Sequence, residues 1–479
     1  MPPLLTGRAA SGRVRDRVAT AVASTASTVV ARLAGHPVAE DAHDDGGVPH
    51  EQVLAALRAL TRMAEALLSC GASAADVTAL TLRAAAGAGL RRTQVDITFT
   101  AVVVSTTGAD GVPLTDVRVV QARSTDYSRL SRLYALAHEA GDGLAVDELD
   151  ERLKRLLTAR RPYRGSVASL GAVGLAVSVA VLLGGGWAVA AAAAGTTAVL
   201  QVLLFALNRR GLPAFFQQVA GAALATAVAL GLLLWQPHLP GWIGALPPSL
   251  VVGSGIVVLL AGLSLVGSAE DAISGFYVTA GARAFETVVL TAGLVLGIAG
   301  VLDLGQRAGI ALSLTFTATA APAVAVQVLA GATAALSWAV SGYADGRALA
   351  LAALAGGTGS AVNALALAAG AGPLTAAGAA ALVVGLMAEG TAWRWGVPGL
   401  VVSVCGIVPL LPGLATYRAI FTLVGGGTSA GLGMLVEALG TALALAAGVT
   451  LGEFCSTPLR REFDRVERRV RRRSLNRSF

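Results

Sequence analysis

The chain has 479 residues, of which 55% are hydrophobic and only 14% charged, with a net charge of +7 and a mean hydropathy of +0.69. Soluble globular chains carry about a quarter charged residues, so this composition excludes an ordinary soluble protein. The arginines cluster beside apolar segments and at the C-terminal end. That distribution indicates contact with a membrane surface rather than with nucleic acid.

The segment from Glu51 to about residue 160 has the patterns of a small α+β domain. Apolar residues recur at helical spacing up to Leu68, and Ser73 followed by Asp76 resembles a capping box that opens a second helix. The letters VDITFTAVVVST then predict a strand, GADG a turn and DVRVVQAR a return strand. Two more amphipathic helices are predicted after these strands. The segment contains no HExxH or Walker motif, so we expect a regulatory or assembly domain.

Ten apolar segments follow, each long enough for a membrane-spanning helix, which needs about 20 residues. They lie near 166–184, 187–207, 216–235, 249–267, 284–302, 318–341, 347–369, 374–390, 398–416 and 430–452. An even number of spans puts both termini on one side of the membrane. Most arginines fall on that side, and only Arg307 and Arg418 fall on the other. The positive-inside rule makes the arginine-rich side cytoplasmic.

One apolar phrase occurs twice in these spans. GIVVLLAGL begins at Gly255, and GIVPLLPGL begins at Gly406, 151 residues later. The same offset aligns Glu286 with Glu437. One repeat holds five spans, an odd number, so we expect the second copy to be inverted relative to the first, as in many secondary transporters.

The second copy alone contains prolines. Pro409 and Pro412, followed by Gly413, remove backbone donors and disfavour a regular helix. A broken helix is tolerated in a membrane only within protein or beside a water-filled cavity. We interpret the stretch as an unwound hinge that lines a transport path, with a simple kink or helix end as the alternative.

A few polar residues lie in or beside the predicted spans. Glu437 lies well inside one, where a carboxylate is costly, so we expect it to face the bundle interior as a proton carrier or as an interhelical partner. For Glu286 and Arg283, an ion pair within one helix is the structural alternative to a role in the transport pathway. Asp271 is expected in a loop, SAEDAISG, and Asn363 offers hydrogen bonds to a polar solute. The three cysteines form no CxxC pair, and neither a cofactor nor a metal site is indicated.

Three segments resemble the threonine/serine exporter family: GASAADVTALTLRAAAGAGL, GSAEDAISGFYVTAGARAFETVVLTAGLVLGIAG and VPLLPGLATYRA. The resemblance covers nearly the whole chain. It implies a ten-helix exporter of threonine and serine in the inner membrane of a bacterium, driven by the proton gradient. The matching letters are densest at a few residues, which become candidates for the substrate or proton pathway: Asp271, Arg283, Glu286 and the stretch from Pro409 to Gly413.

Our leading prediction is a polytopic α-helical membrane protein with about ten transmembrane helices in two inverted five-helix repeats, preceded by a small cytoplasmic α+β domain. The expected segments are a disordered or loosely amphipathic one over 1–49, the α+β domain over 50–160, repeats over 161–302 and 303–453, and a basic amphipathic cytoplasmic tail over 454–479.

The expected function is export of threonine and serine by proton-coupled alternating access. The alternatives are an exporter of another small solute such as a dicarboxylate, and a membrane sensor or scaffold whose cytoplasmic domain is the working part. A membrane enzyme has the least support. The many Gly and Ala residues are compatible with a homo-oligomer but do not demonstrate one.

Overall fold

A computed structural model of the chain describes residues 50–90, 92–108, 111–121, 123–238, 240, 247–260, 262–309, 322–424 and 427–475, without the side chains of residues 393 and 457–475. The predictions for the segment 1–49 and for the faces of the basic tail lie outside the described residues. The structure there gives the tail only as a helical continuation of the last span.

Residues 50–158 form four helices and a three-stranded sheet. The helices are α1 (His50–Ser69), α2 (Ala74–Gly87), α3 (Tyr127–Gly141) and α4 (Val146–Thr158), and the strands are β1 (Thr93–Ile97), β2 (Ala101–Thr107) and β3 (Pro113–Val119). The sheet is antiparallel in the order β1-β2-β3. The predicted cap is present, since the Ser73 hydroxyl accepts a hydrogen bond from the Asp76 backbone nitrogen at 3.1 Å.

The strand predicted from VDITFTAVVVST is wrong in one respect, because this segment forms two strands rather than one. Thr98 and Ala101 exchange two backbone hydrogen bonds of 3.0 and 3.1 Å and close a tight turn between β1 and β2. The turn residues are Phe99 and Thr100, which are neither the Gly nor the Asn that usually mark such a hairpin. The turn therefore has no clear signal in the sequence.

Eight of the described helices are long and apolar enough to cross a membrane, and two bent helix pairs raise the number to ten. The eight are α5 (Gly165–Leu182), α6 (Trp187–Arg209), α7 (Ala214–Trp235), α10 (Tyr277–Arg307), α11 (Val324–Ser341), α12 (Gly346–Ala368), α13 (Pro373–Trp395) and α16 (Thr428–Leu475). The apolar part of α16 ends at Ser456. The chain is therefore a polytopic helical membrane protein.

The two bent pairs are interrupted in the same way. Helices α8 (Pro248–Gly255) and α9 (Gly262–Ile273) flank a 3-10 turn at Val257–Leu259. Helices α14 (Gly399–Ile407) and α15 (Gly413–Val424) flank a 3-10 turn at Val408–Leu410. The pairs bend by 42° and 48°.

The element order repeats along the chain at two offsets. Helices α5, α6 and α7 begin 159 residues before α11, α12 and α13, and helices α8, α9 and α10 begin 151 residues before α14, α15 and α16. The offset changes because the connection after α7 is longer than the connection after α13. The repeat thus includes the short helices and their breaks as well as the long spans.

The first helices of the two repeats pack against each other. Near the start of α5, a Cβ atom on Gly165 would lie 3.6 Å from the Tyr343 hydroxyl, just beyond the end of α11. Farther along α5, the Ser178 hydroxyl donates a hydrogen bond to the Thr333 hydroxyl at 3.0 Å, in the middle of α11. Residue numbers rise along α5 as they fall along α11, so these two equivalent helices run antiparallel.

Equivalent glycines support equivalent helix contacts in the two repeats. A Cβ atom on Gly297 of α10 would lie 2.2 Å from the Val219 carbonyl oxygen of α7. A Cβ atom on Gly448 of α16 would lie 2.5 Å from the Gly378 carbonyl oxygen of α13. Both members of each contact are related by the repeat offsets, so the close packing of small residues is itself repeated.

We expect Gly448→Ala to destabilise the protein by about 1–3 kcal/mol, because its new methyl group would overlap the α13 backbone. Gly433→Ala on the same helix is the matched control, since nothing lies within 4 Å of its Cβ position. The control is expected to be neutral or slightly stabilising, because alanine favours a helix more than glycine does. Thermal unfolding of the two purified variants in the same detergent checks this. Equal unfolding temperatures would contradict the packing.

Candidate functional site

The two helix breaks lie against each other. A Cβ atom on Gly262, the first residue of α9, would lie 3.0 Å from the backbone nitrogen of Gly413 and 3.1 Å from its Cα atom. A Cβ atom on Gly413, the first residue of α15, would lie 3.0 Å from the Cβ atom of Leu260. The two glycines are equivalent in the repeats, and their lack of side chains permits the close approach of the two backbones.

The meeting point brings together the N-terminal ends of two half-helices of 12 residues each. The first turn of a helix carries backbone N–H groups without helical partners, and the helix dipole adds partial positive charge there. Two such ends side by side favour a carboxylate over a cation.

Proline alone does not explain the breaks. Pro409 lies in the 3-10 turn of the second repeat and Pro412 directly precedes α15. The first repeat has Val258 at the position equivalent to Pro409 and still forms the 3-10 turn and the bend. The break in the second repeat is therefore matched by one in the first, which the sequence pattern did not predict; that either acts as a hinge stays a prediction.

A cavity of about 360 Å³ reaches the break of the first repeat, because Val258 forms part of its wall. This volume lies in the usual range for small-molecule sites. The wall joins α5, α6 and the end of α11 with residues of the α+β part. Its polar groups are mostly hydroxyls, together with one amide and one indole: Thr125, Ser169, Gln201, Trp338, Ser341 and Tyr343.

The α+β part contacts the cavity wall through Tyr127, at the start of α3. The Tyr127 backbone nitrogen donates a hydrogen bond to the Gly342 carbonyl oxygen at 2.8 Å, and its hydroxyl accepts one from the Trp338 indole at 2.9 Å. A Cβ atom on Gly342 would lie 2.5 Å from the Tyr127 ring. Movement of the α+β part would therefore be transmitted to Trp338, which lines the cavity.

Carboxylates from four elements interact electrostatically where the α+β part contacts the spans. They are Asp76 of α2, Glu270 of α9, Glu389 of α13 and Glu453 of α16, and we call them the junction carboxylates. All four are partly buried. Both helical repeats contribute to this group, so a change in its charge would act on both repeats and on the α+β part at once.

A tyrosine supports the carboxylate that comes from the α+β part. The Tyr134 hydroxyl donates a hydrogen bond to Asp76 Oδ2 at 2.8 Å. Burial raises the pKa of Asp76 above its ordinary range, although hydrogen bonds from Tyr134 and Ser73 oppose that shift. Burial and the nearby Asp76 charge raise the pKa of Tyr134 well above its ordinary value. Tyr134 therefore stays a hydrogen-bond donor at neutral pH.

Asp271 is not in a loop, as its sequence context predicted, but on helix α9. Its side chain is 1% exposed and forms an ion pair of 3.0 Å with Arg283 of α10, whose side chain is 16% exposed. A Cβ atom on Gly267 would lie 2.6 Å from Arg283 Nη1, so the glycine leaves room for the guanidinium group. Arg283 thus pairs with Asp271 rather than with Glu286.

The structure places Glu437 and Glu286 on exposed faces of α16 and α10. The expectation that Glu437 faces the bundle interior is therefore wrong for this structure. Its polar context is local, since its carbonyl oxygen accepts a hydrogen bond from the Thr441 hydroxyl at 2.9 Å. Burial, followed by the positive charge of Arg283, lowers the pKa of Arg123 in the α+β part. The nearby Glu286 carboxylate partly opposes that lowering.

Asn363 is partly buried on α12, away from the residues that line the cavity. Sequence reasoning missed the junction carboxylates and the polar cavity residues. Glu389 and Glu453 carried a usable signal, because they lie at the edges of predicted spans where a charge is costly. Gln201 carried the same kind of signal inside α6. Among the described residues, no group of three or more His, Cys, Asp or Glu could hold a metal ion.

Two family models match the chain in sequence. Residues 58–305 match a model described as "Putative threonine/serine exporter", and residues 327–455 match one described as "Threonine/Serine exporter, ThrE". The first match covers most of the α+β part and the first repeat, and the second covers the second repeat. The boundary between the matches thus coincides with the boundary between the structural repeats.

Two curated relatives are similar over most of the chain. A protein of Mycobacterium tuberculosis named "Probable threonine/serine exporter" is 40% identical over 425 residues, which are 87% of this chain and 79% of the relative. A Corynebacterium glutamicum protein named "Threonine/serine exporter" is 37% identical over 422 residues, which are 86% of this chain and 84% of the relative. No solved structure matches the chain.

The raised pKa of Asp76 predicts a pH dependence of stability. The folded state favours the protonated carboxyl, so the stability from Asp76 is present at acidic pH and is lost as the pH rises through the folded-state pKa. Asp76→Asn, which can still accept from Tyr134, should remove this loss. Thermal unfolding across acidic to neutral pH measures it, with exposed Asp147→Asn as the control. Parallel pH curves for wild type and Asp76→Asn would contradict the assignment.

Proposed function

Since the chain belongs to the threonine/serine exporter family, we propose that it exports threonine and serine from the cytoplasm of a bacterium as a proton-coupled secondary transporter. The observation that carries this proposal is the contact of two equivalent helix breaks beside a cavity of small-molecule size. The relatives' names describe exporters and not enzymes, which agrees with a non-enzymatic role.

The proposed architecture is a pair of inverted five-span repeats that follow the α+β domain at about residue 160. The antiparallel packing of α5 on α11 supports the inversion, because these helices are equivalent in the two repeats. Each repeat has five spans if each broken pair counts as one. Because five is an odd number, the second repeat would then enter the membrane from the opposite side to the first. Inverted repeats commonly place a substrate site between them near the membrane midplane.

The proposed orientation puts the α+β part and both termini in the cytoplasm. In this topology the connections that carry most of the arginines would lie on the same side as the α+β part, as the positive-inside rule requires. The cavity is lined by Thr125 and Tyr343 on that side and by Val258 at the break. It then forms an inward-facing route from the cytoplasm to the broken helices.

The chemistry of the route fits a small hydroxy amino acid. The two half-helix ends at Gly262 and Gly413 would bind the substrate carboxylate. Hydroxyl and amide groups of Ser169, Gln201 and Ser341 would bind the substrate hydroxyl. Each of these interactions uses groups that are already placed, so binding requires little ordering of side chains.

We assign proton coupling to the junction carboxylates, with Glu270 and Glu453 as the leading candidates. They are partly buried, Glu270 acts electrostatically on Glu453, and they come from helices of different repeats. Like charges held close together favour the uptake of a proton by one of them. Asp271 and Arg283 would hold the adjacent helices in register. Glu437 and Glu286 stay candidates only by their chemistry, since both are exposed.

Alternating access would follow from movement at the breaks. The 3-10 turns separate α8 from α9 and α14 from α15, so each half-helix can tilt without unwinding its partner. A proton on the junction would weaken the repulsion between α9 and α16 and change the preferred tilt. The contact of Gly262 with Gly413 couples the tilt of one repeat to that of the other.

We expect proteoliposomes that contain the wild-type protein to show saturable efflux of labelled threonine and serine. Collapse of the proton gradient should remove the gradient-driven part of that efflux. Glu270→Gln and Glu453→Gln should reduce gradient-driven efflux to the level of the collapsed wild type. The same variants should retain threonine counterflow, which moves no net proton. Glu437→Gln is the comparison and is expected to retain coupled efflux.

Three results would contradict parts of the proposal. Loss of coupling in Glu437→Gln alone would move the proton site from the junction carboxylates to Glu437. Loss of counterflow together with efflux, in a protein that still unfolds cooperatively, would make the junction carboxylates structural. Absence of threonine and serine transport in wild type would reject the substrate, and labelled dicarboxylates would then be tested.

A further inference from the structure

Four arginines line a small surface hollow close to the first span. Arg129 and Arg132 come from α3, and Arg160 and Arg161 come from the linker between α4 and α5. Asp126, the N-cap residue of α3, is the single carboxylate among the residues lining this hollow. We call the space lined by these four arginines the arginine hollow.

Most of this positive charge is not neutralised within the protein. Arg161 forms an ion pair of 3.5 Å with Asp126, and Arg129 donates to the Ala159 carbonyl oxygen at 3.4 Å. Within the part of the chain that the structure describes, no acidic group pairs with Arg132 or Arg160, and both are exposed. Neighbouring α4 differs, because Arg152 and Arg155 pair with glutamates there. The hollow thus keeps a local positive charge that favours binding of an anion.

The hollow lies close to the start of the first span. Arg160 and Arg161 precede Gly165, the first residue of the first span, by only a few residues. Even a fully extended linker of this length keeps them within about 18 Å of the start of the span. Tyr163 lies between them and the span, and its hydroxyl donates to the Val340 carbonyl oxygen at 2.8 Å. The linker is therefore held against the bundle.

We propose that the arginine hollow binds the phosphate group of an anionic membrane lipid. Guanidinium groups bind phosphate oxygens with two parallel hydrogen bonds, and several of them from two elements define a specific site. Basic clusters directly beside a span attract anionic headgroups. A free phosphate ion offers the same contacts but gains nothing from the adjoining bilayer, so a lipid is the favoured occupant.

Arg161 connects the arginine hollow to the cavity. Its guanidinium group lies 4.4 Å from the Tyr343 ring centroid and donates a hydrogen bond to the Tyr343 hydroxyl at 3.2 Å. Tyr343 lines the cavity and stacks on Tyr163 with ring centroids 5.5 Å apart. A lipid phosphate held by Arg161 therefore stabilises the wall through which we propose the substrate enters.

The test measures binding of phosphatidylglycerol to the full-length protein in a neutral detergent. The readout is the rise in the thermal unfolding temperature of the protein as lipid is added. The double variant Arg132→Gln/Arg160→Gln removes the two unpaired arginines. The matched control Arg152→Gln/Arg155→Gln removes the same charge from α4. We expect the apparent dissociation constant to rise about 30-fold in the first variant and to change little in the control. Phosphatidylcholine and inorganic phosphate should give no comparable shift.

The proposal is overturned by any of three outcomes. Equal weakening in both double variants would mean a general electrostatic effect without a site. Unchanged binding in Arg132→Gln/Arg160→Gln would place the lipid elsewhere. A shift with inorganic phosphate alone, at the concentrations where the lipid acts, would make the occupant a soluble phosphate. Because none of these results depends on transport, they remain distinct from a failure of the exporter assignment.

Discussion

The backbone contact between Gly262 and Gly413 limits how the rest of the membrane part can be built. It holds the starts of α9 and α15 against each other at the two points where the helix pairs bend. Interrupted helices leave backbone groups that a lipid environment cannot satisfy, so the breaks must lie within protein or beside water. The surrounding spans provide that enclosure, and in the proposed function the cavity that reaches Val258 would admit water and solute.

Much of the fold follows from simple sequence patterns. Hydropathy places the eight long apolar helices of the described residues and both bent pairs, and the caps and periods place the helices of the α+β part. Pro409 and Pro412 signal the second break in the sequence, whereas the equivalent stretch of the first repeat contains no proline and gave no such signal. The hairpin at Phe99 and Thr100 was missed for the same reason, because its turn lacks the residues that usually specify one.

The candidate site was harder to predict than the fold. A charge inside an apolar segment indicates a candidate functional residue, but the pattern does not show which side of the helix faces the bundle. Glu437 satisfies that pattern and is exposed, while Glu270, Glu389 and Glu453 lie near the edges of the predicted spans and are brought together only because distant segments meet there. Tyr134 and Asp76, from the α+β part, complete that group, so neither part of the chain specifies it alone.

The most direct test of the account asks whether substrate occupies the route to the breaks. In a variant with Cys70, Cys405 and Cys455 replaced by serine, Val258→Cys would be labelled by a membrane-impermeant thiol reagent with and without threonine. Leu170→Cys, on the exposed face of α5, is the control. The account predicts that threonine slows labelling at position 258 and leaves position 170 unchanged. Equal labelling at position 258 with and without threonine would contradict it.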